Sequence, residues 1–159
     1  MIIRENGREI VNNPLVLENG RYRMDFEHMR KAVRGCGMFI LCNPHNPGGR
    51  VWNPEELEQV AEICAESGTL VISDEIHADL TLPGRRHTVF ATVSEKARNN
   101  SVTYMAASKA FNVPGLASSY LICQNPALLE KYQNFVNGRE MAEGHVFAYA
   151  GLISAYTEP

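Results

Sequence analysis

Three side chains of different chemistry lie near the ends of apolar runs. They are the amide of Asn46, the carboxylate of Asp74 and the amine of Lys109, spaced 28 and then 35 residues apart. Asn46 follows an apolar run at residues 38–42, Asp74 follows one at 69–73, and Lys109 follows one at 101–105. If these runs are parallel strands, the three groups meet beyond their carboxyl ends, where open α/β sheets bind ligands. There the amine can form a Schiff base with an aromatic aldehyde cofactor, and the carboxylate can pair with a ring nitrogen. The amide can donate to a ring hydroxyl. Taken singly, each residue has a plainer use. A lysine is usually a solvated surface residue, an Asp-Glu pair after a strand is usually a cap or loop charge, and Asn46-Pro47-Gly48 makes a turn.

The elements that must carry these groups are legible in outline. Continuous apolar runs such as Met38-Phe39-Ile40-Leu41-Cys42 suit strands covered on both faces, hence a parallel sheet. The loop at residues 43–50 holds two prolines and two glycines and cannot be regular. Asn53-Pro54-Glu55-Glu56 is a helix start, with an asparagine cap, a first-turn proline and two carboxylates against the dipole. Leu57, Val60, Ala61 and Cys64 follow at helical spacing, and Gly68 stops the helix. Strand, helix, strand is then complete, with a right-handed crossover expected. Asp25 caps a further helix at 26–33, and residues 94–98 make a helical turn. Residues 101–105 and 119–123 are strands with a loop at 108–117 between them. Asn125-Pro126 opens a helix whose apolar face is Leu128, Leu129, Tyr132, Phe135 and Val136. A last apolar helix runs from near Glu143 to Thr157, and short extended pieces are expected at 9–11 and 15–17.

At 159 residues the chain has the length of one domain, with 45% hydrophobic and 21% charged residues, which are globular values. A net charge of −3 argues against nucleic acid, whose partners are usually basic, and gives no pull towards anionic membranes. The uncharged stretch at 110–129 is broken by Pro114, Gly115 and Pro126, so it is not a membrane span. Cys36, Cys42, Cys64 and Cys123 have neither zinc spacing nor a histidine cluster and read as free, mostly buried thiols. No signal core opens the sequence, so a soluble cytoplasmic protein is expected.

The strings Asn43-Pro44-His45-Asn46-Pro47-Gly48-Gly49, Ser73-Asp74-Glu75-Ile76-His77 and Ser108-Lys109-Ala110-Phe111-Asn112 together resemble the fold-type-I pyridoxal-phosphate enzymes of the class I/II aminotransferase superfamily. Within it, Asp-Glu-Ile-His and Ser-Lys-x-Phe-Asn resemble the cystathionine β-lyases of the MalY/PatB type. The resemblance implies pyridoxal 5'-phosphate as cofactor, and Lys109 as the lysine that binds it and later removes the substrate's α-proton. It implies Asp74 on the pyridine nitrogen, Asn46 on the phenolic oxygen, His77 towards the same oxygen and Ser108 near the phosphate. It implies carbon–sulfur β-lyase chemistry on a small amino-acid substrate, with an aminotransferase as one alternative and an inactive truncated or pseudoenzyme fragment as the other. On chain chemistry alone, His77 can equally be a packed loop histidine and Ser108 a loop cap. His28, His87 and His145 have no partners in sequence and read as structural.

Two departures accompany the resemblance. Many relatives carry Ser or Thr three residues before the lysine, where this chain has Ala106. Many aminotransferases carry Arg eight residues after it, where this chain has Ala117; the β-lyase branch often lacks that Arg too. The fold expected is α/β, a mostly parallel sheet flanked by helices. Residues 1–159 are expected to be part of a pyridoxal-phosphate-binding large domain, without the N-terminal part and the C-terminal small domain. The full-length protein is expected to be a homodimer, and the chain alone an inactive fragment.

Overall fold

Asparagine, aspartate and serine caps set where most helices of this chain begin. The computed structural model describes residues 2–141 and 144–157. After a single turn, α1 (Ile2–Glu5), β1 (Val16–Glu18) pairs antiparallel with β2 (Arg21–Arg23). Asn19 and Gly20 make the hairpin turn at φ of 51° and 74°, the left-handed values that an Asn-Gly turn between twisted strands requires. Asp25 opens α2 (Phe26–Ala32) by accepting the His28 N–H at 2.9 Å. Then come β3 (Met38–Cys42), α3 (Pro54–Ser67), β4 (Leu70–Asp74), a 3-10 turn at Phe90–Thr92, and α4 (Glu95–Asn99). They are followed by β5 (Ser101–Met105), α5 (Ala107–Ala110), β6 (Tyr120–Ile122), α6 (Pro126–Asn137) and α7 (Val146–Thr157).

The main sheet has the order β3-β4-β5-β6, with β3, β4 and β5 parallel and β6 antiparallel to β5. This is the α/β architecture with a mostly parallel sheet that the apolar runs predict. Register and alternation put Phe39, Leu41, Val71, Ser73, Ser101 and Thr103 on one face. That face meets Met29 and Val33 near α2, Leu57, Val60, Ile63 and Cys64 of α3, Phe90, and Ala97 of α4. Complete burial of each of Leu57, Val60 and Ile63 contributes roughly 1.5–3 kcal/mol. On the other face Met38 and Ile40 stay 66% and 55% exposed, while Tyr104 lies beside Tyr132 of α6.

The helix α3 is specified most fully. Asn53 Oδ1 accepts the Glu56 N–H at 2.8 Å, and Glu56 Oε2 accepts the Asn53 N–H at 2.9 Å, a reciprocal capping box. Gly68 ends the helix at φ 69°, where a side chain would be strained. Ser94 accepts the Ala97 N–H and starts α4. Asn125 accepts from Ala127 and Leu128 and starts α6.

Some expectations fail locally. Residues 9–11 form no strand, and the second strand of the hairpin was not anticipated, because Arg21 and Arg23 leave it no apolar pattern. The apolar face expected on α6 exists as a stripe, but none of its described residues is buried. The thiols are all free, yet Cys64 alone is buried; the other three are half-buried. Burial pushes the Cys64 thiol up to about 12. The expected start of the last helix near Glu143 lies outside the described residues. Among the described residues no helix is long and apolar enough to cross a membrane.

Candidate active site

The loop bearing Asn46 is held from both sides. His45 and Arg50 bridge to each other, with His45 N–H on Arg50 O at 2.7 Å and Arg50 N–H on His45 O at 3.3 Å. Arg50 is buried and donates to Glu56 Oε1 at 2.6 Å, so the carboxylate that caps α3 also pins the end of this loop. The Arg50 guanidinium lies 4.6 Å from the centre of the Trp52 ring, and Trp52 Nε1 donates to Cys42 O at 2.9 Å. Cys42 Sγ–H donates to Pro44 O at 3.3 Å, and the same sulfur accepts the Asn46 N–H at 3.4 Å. Burial holds this thiol above its ordinary range; the Asn46 backbone opposes the shift and the Asp74 charge adds to it. With its main chain fixed in this way, Asn46 keeps an exposed side-chain amide that makes no hydrogen bond among the described residues.

Asp74 is the last residue of β4, paired with Cys42 on β3 and with Tyr104 on β5. One of its oxygens, Oδ1, accepts the Ile76 N–H at 3.3 Å. The other has no partner among the described residues. Glu75 turns to the opposite side and is fully buried. It accepts from Ser73 Oγ at 2.8 Å, from the Phe90 N–H at 3.0 Å and lies 2.6 Å from His87 Nε2. His87 thus has a partner that the sequence did not reveal. The signal was the adjacency of two carboxylates at a strand end: alternation sends one to the open side and the other inward, where it must find donors.

Lys109 does not sit in a loop, as the sequence suggested, but in the helical turn α5, which follows β5 directly. Its ammonium is exposed and forms no ion pair among the described residues. Ser108 precedes it, half-buried, and its hydroxyl makes no hydrogen bond among those residues. Ala106 stands at the start of α5 without a side-chain cap. The sheet order sets β3, β4 and β5 side by side, about 4.8 Å apart, so Asn46, Asp74 and Lys109 issue from one edge of the sheet. An amide and an amine without partners and a carboxylate with one free oxygen suit a flat ring bearing an aldehyde, a basic nitrogen and a phenolic oxygen, which is the chemistry of pyridoxal phosphate.

His77, half-buried in the turn after β4, lines with Asn46 a cleft of about 570 Å³. The hairpin closes its far side through Tyr22. Gly48 sits where hairpin and loop meet: its N–H donates to His45 Nδ1 at 3.2 Å, and a Cβ there would fall 2.5 Å from the same nitrogen and 3.1 Å from Tyr22. Burial lowers the His45 pKa, which favours the neutral ring that accepting the Gly48 N–H at Nδ1 requires. Asp74, Ser108 and Lys109 are not among the residues lining this cleft. The structure therefore brings Asn46 and His77 into the lining of one cleft and leaves Asp74, Ser108 and Lys109 outside that lining, at the end of β4 and in the turn after β5.

The chain resembles known proteins over nearly its whole length. A family model described as aminotransferase class I and II matches residues 1–145. Cystathionine beta-lyase PatB of Bacillus subtilis is 39% identical over 159 residues, 99% of this chain and 41% of that protein. Cystalysin from Treponema denticola, solved with pyridoxal 5'-phosphate, superposes with a TM-score of 0.89 at 34% identity over 98% of this chain and 40% of that one. The pyridoxal-phosphate-bound C-S lyase from Staphylococcus hominis gives 0.88 at 35% identity, with the same coverage of both chains. The chain thus spans about two fifths of the length of the relatives it matches.

Proposed function

Since this chain belongs to the class I and II aminotransferase family, we propose that the protein carrying it is a pyridoxal-phosphate-dependent carbon–sulfur β-lyase. It would convert cystathionine or a cysteine S-conjugate to a thiol, pyruvate and ammonia. The observation that carries this reading is the issue of Asn46, Asp74 and Lys109 from the carboxyl ends of three adjacent strands. The likeness to PatB and to the staphylococcal lyase supports β-elimination as the chemistry.

When bound, pyridoxal phosphate supplies an electron sink next to the substrate's amine. In this proposal Lys109 holds the cofactor's aldehyde carbon, Asp74 its ring nitrogen, Asn46 and His77 its phenolic oxygen, and Ser108 contributes to its phosphate. The free oxygen of Asp74 accepts the ring N–H, and its negative charge favours the protonated nitrogen. Asn46, held at its backbone by Cys42, orients the ring from the β3 side. Lys109 Nζ would be the base that takes the α-proton of the bound substrate. A thiolate leaves at neutral pH with little acid assistance, because thiols are stronger acids than alcohols, so no separate general acid is required of these residues.

A second reading is transamination, favoured by the family's own description. The two part at one assay. Full-length protein loaded with cofactor and given L-cystathionine should release thiol and pyruvate without a keto-acid acceptor. Turnover that needs the acceptor, and yields its amino acid instead, would replace lyase by aminotransferase. In the same proposal residues 1–159 form part of the cofactor-binding large domain, and the full-length protein works as a homodimer in the cytoplasm. Four free thiols support a reducing compartment.

A further inference from the structure

The cleft beside Asn46 and His77 carries an electrostatic signature that the proposed cofactor contacts do not use. Its volume, about 570 Å³, lies in the range of small-molecule sites. Arg21, Arg50 and Arg85 line it, and among the described residues no aspartate or glutamate does. Arg50 is neutralised by Glu56 at 2.6 Å. Arg21 and Arg85 form no ion pair among the described residues. The carboxylate nearest to Arg21 along the hairpin, Glu18, stands opposite it in register but is engaged by Arg23 at 2.5 Å. Leu80 and Leu82, 51% and 76% exposed, line the same cleft. The surface thus offers apolar contact along its wall and two uncompensated guanidinium groups.

We infer that this cleft is the subsite for the sulfur substituent of the substrate, and that Arg21 and Arg85 select substituents carrying a carboxylate. The inference rests on the lyase reading and deepens it. A cysteine S-conjugate whose sulfur bears a short aliphatic arm ending in a carboxylate matches the lining: methylenes against Leu80 and Leu82, the acid between guanidinium groups. Guanidinium is suited to this because its planar fork meets both carboxylate oxygens. A neutral substituent of the same shape gains only the apolar contact. A Cβ at Gly48 would fall 3.1 Å from the Tyr22 ring, so the strand carrying Arg21 lies close against the site loop.

The test compares S-(2-carboxyethyl)-L-cysteine with its carboxamide isostere on the full-length, cofactor-loaded protein, as wild type, Arg21→Gln, Arg85→Gln and the double variant. Two readouts are taken: kcat/KM for thiol release, and the dissociation constant from the change in cofactor absorbance. Wild type should prefer the acid roughly tenfold, and the double variant should bring the ratio close to 1, each single variant falling between, as expected for two exposed charge pairs. Raising the salt concentration should shrink the wild-type preference in the same direction. A wild type that handles acid and amide equally, or a double variant that keeps the preference, would overturn the subsite while leaving the lyase reading intact. Absence of thiol release, with the binding preference present in wild type and erased in the double variant, would uphold the subsite and remove the lyase reading.

Discussion

Asp74 and Glu75 leave the end of β4 in opposite directions, and their surroundings divide their work. Glu75 is enclosed by Ser73, Phe90 N–H and His87 and ties the 87–90 segment under the strand end. Asp74 keeps one oxygen without a hydrogen bond among the described residues. Asp74→Asn preserves shape and removes the charge that would favour a protonated ring nitrogen. It should lower the rate of the full-length enzyme by about two decades or more, about 3 kcal/mol in barrier, with little change in thermal stability. Near-normal turnover of that variant would refute the role. Lys109 is one of four lysines, with Lys31, Lys96 and Lys131. Borohydride reduction of the holoprotein followed by peptide mapping should label Lys109 and none of the others. Lys109→Ala should abolish turnover yet fold normally, since the exposed ammonium contributes no ion pair among the described residues.

At the scale of elements, the loop at residues 43–50 is positioned by parts that begin on either side of it. Trp52 ties its end to β3 and Glu56 ties it to α3. Gly48→Ala would drive a Cβ to 2.5 Å from His45 Nδ1. We expect a loss of about 1–3 kcal/mol in stability from the overpacking, together with weaker cofactor binding, because Asn46 rides on the same loop. Thermal unfolding and a cofactor titration measure the two; unchanged values in both would mean that the loop is loosely held. Much of this level was readable in advance. The Asn53-Pro54-Glu55-Glu56 start, the Gly68 stop and the three apolar runs carry local signals that tertiary packing had no need to override. The candidate residues at the strand ends followed from those runs. What escaped was set by distant partners. β2 is a strand because β1 pairs with it, not through any pattern of Arg21-Tyr22-Arg23. The Glu75–His87 contact joins residues 12 apart in sequence across an irregular segment. The capping of α6 was legible, but the exposure of its apolar stripe was not, since periodicity tells which face is apolar and not what covers it.

For the whole molecule, that uncovered surface is the dominant fact. Phe147 and Val146 of α7 are 72% and 70% exposed, and Met38 and Ile40 leave one sheet face partly bare. Exposed apolar side chains on a helix and on a sheet face offer places for interaction or aggregation. Residues 1–159 expressed alone should therefore self-associate and bind the dye ANS. They should also take up pyridoxal phosphate weakly, because Ser108 is the one hydroxyl beside Lys109 in α5 and anions need several donors. Light scattering and a cofactor titration check this; a monodisperse chain that binds cofactor stoichiometrically would contradict it. The single buried thiol gives the same molecule a built-in clock. Cys64 lies in the core between α3 and the sheet, pushed up to about 12, and alkylating reagents attack thiolates that they can reach. In the full-length protein its labelling should wait for the helix to lift from the sheet, while half-buried Cys36 and Cys123 react early. The lag between the two, followed by mass spectrometry as denaturant is raised, would time the opening of the layer on which the candidate site stands.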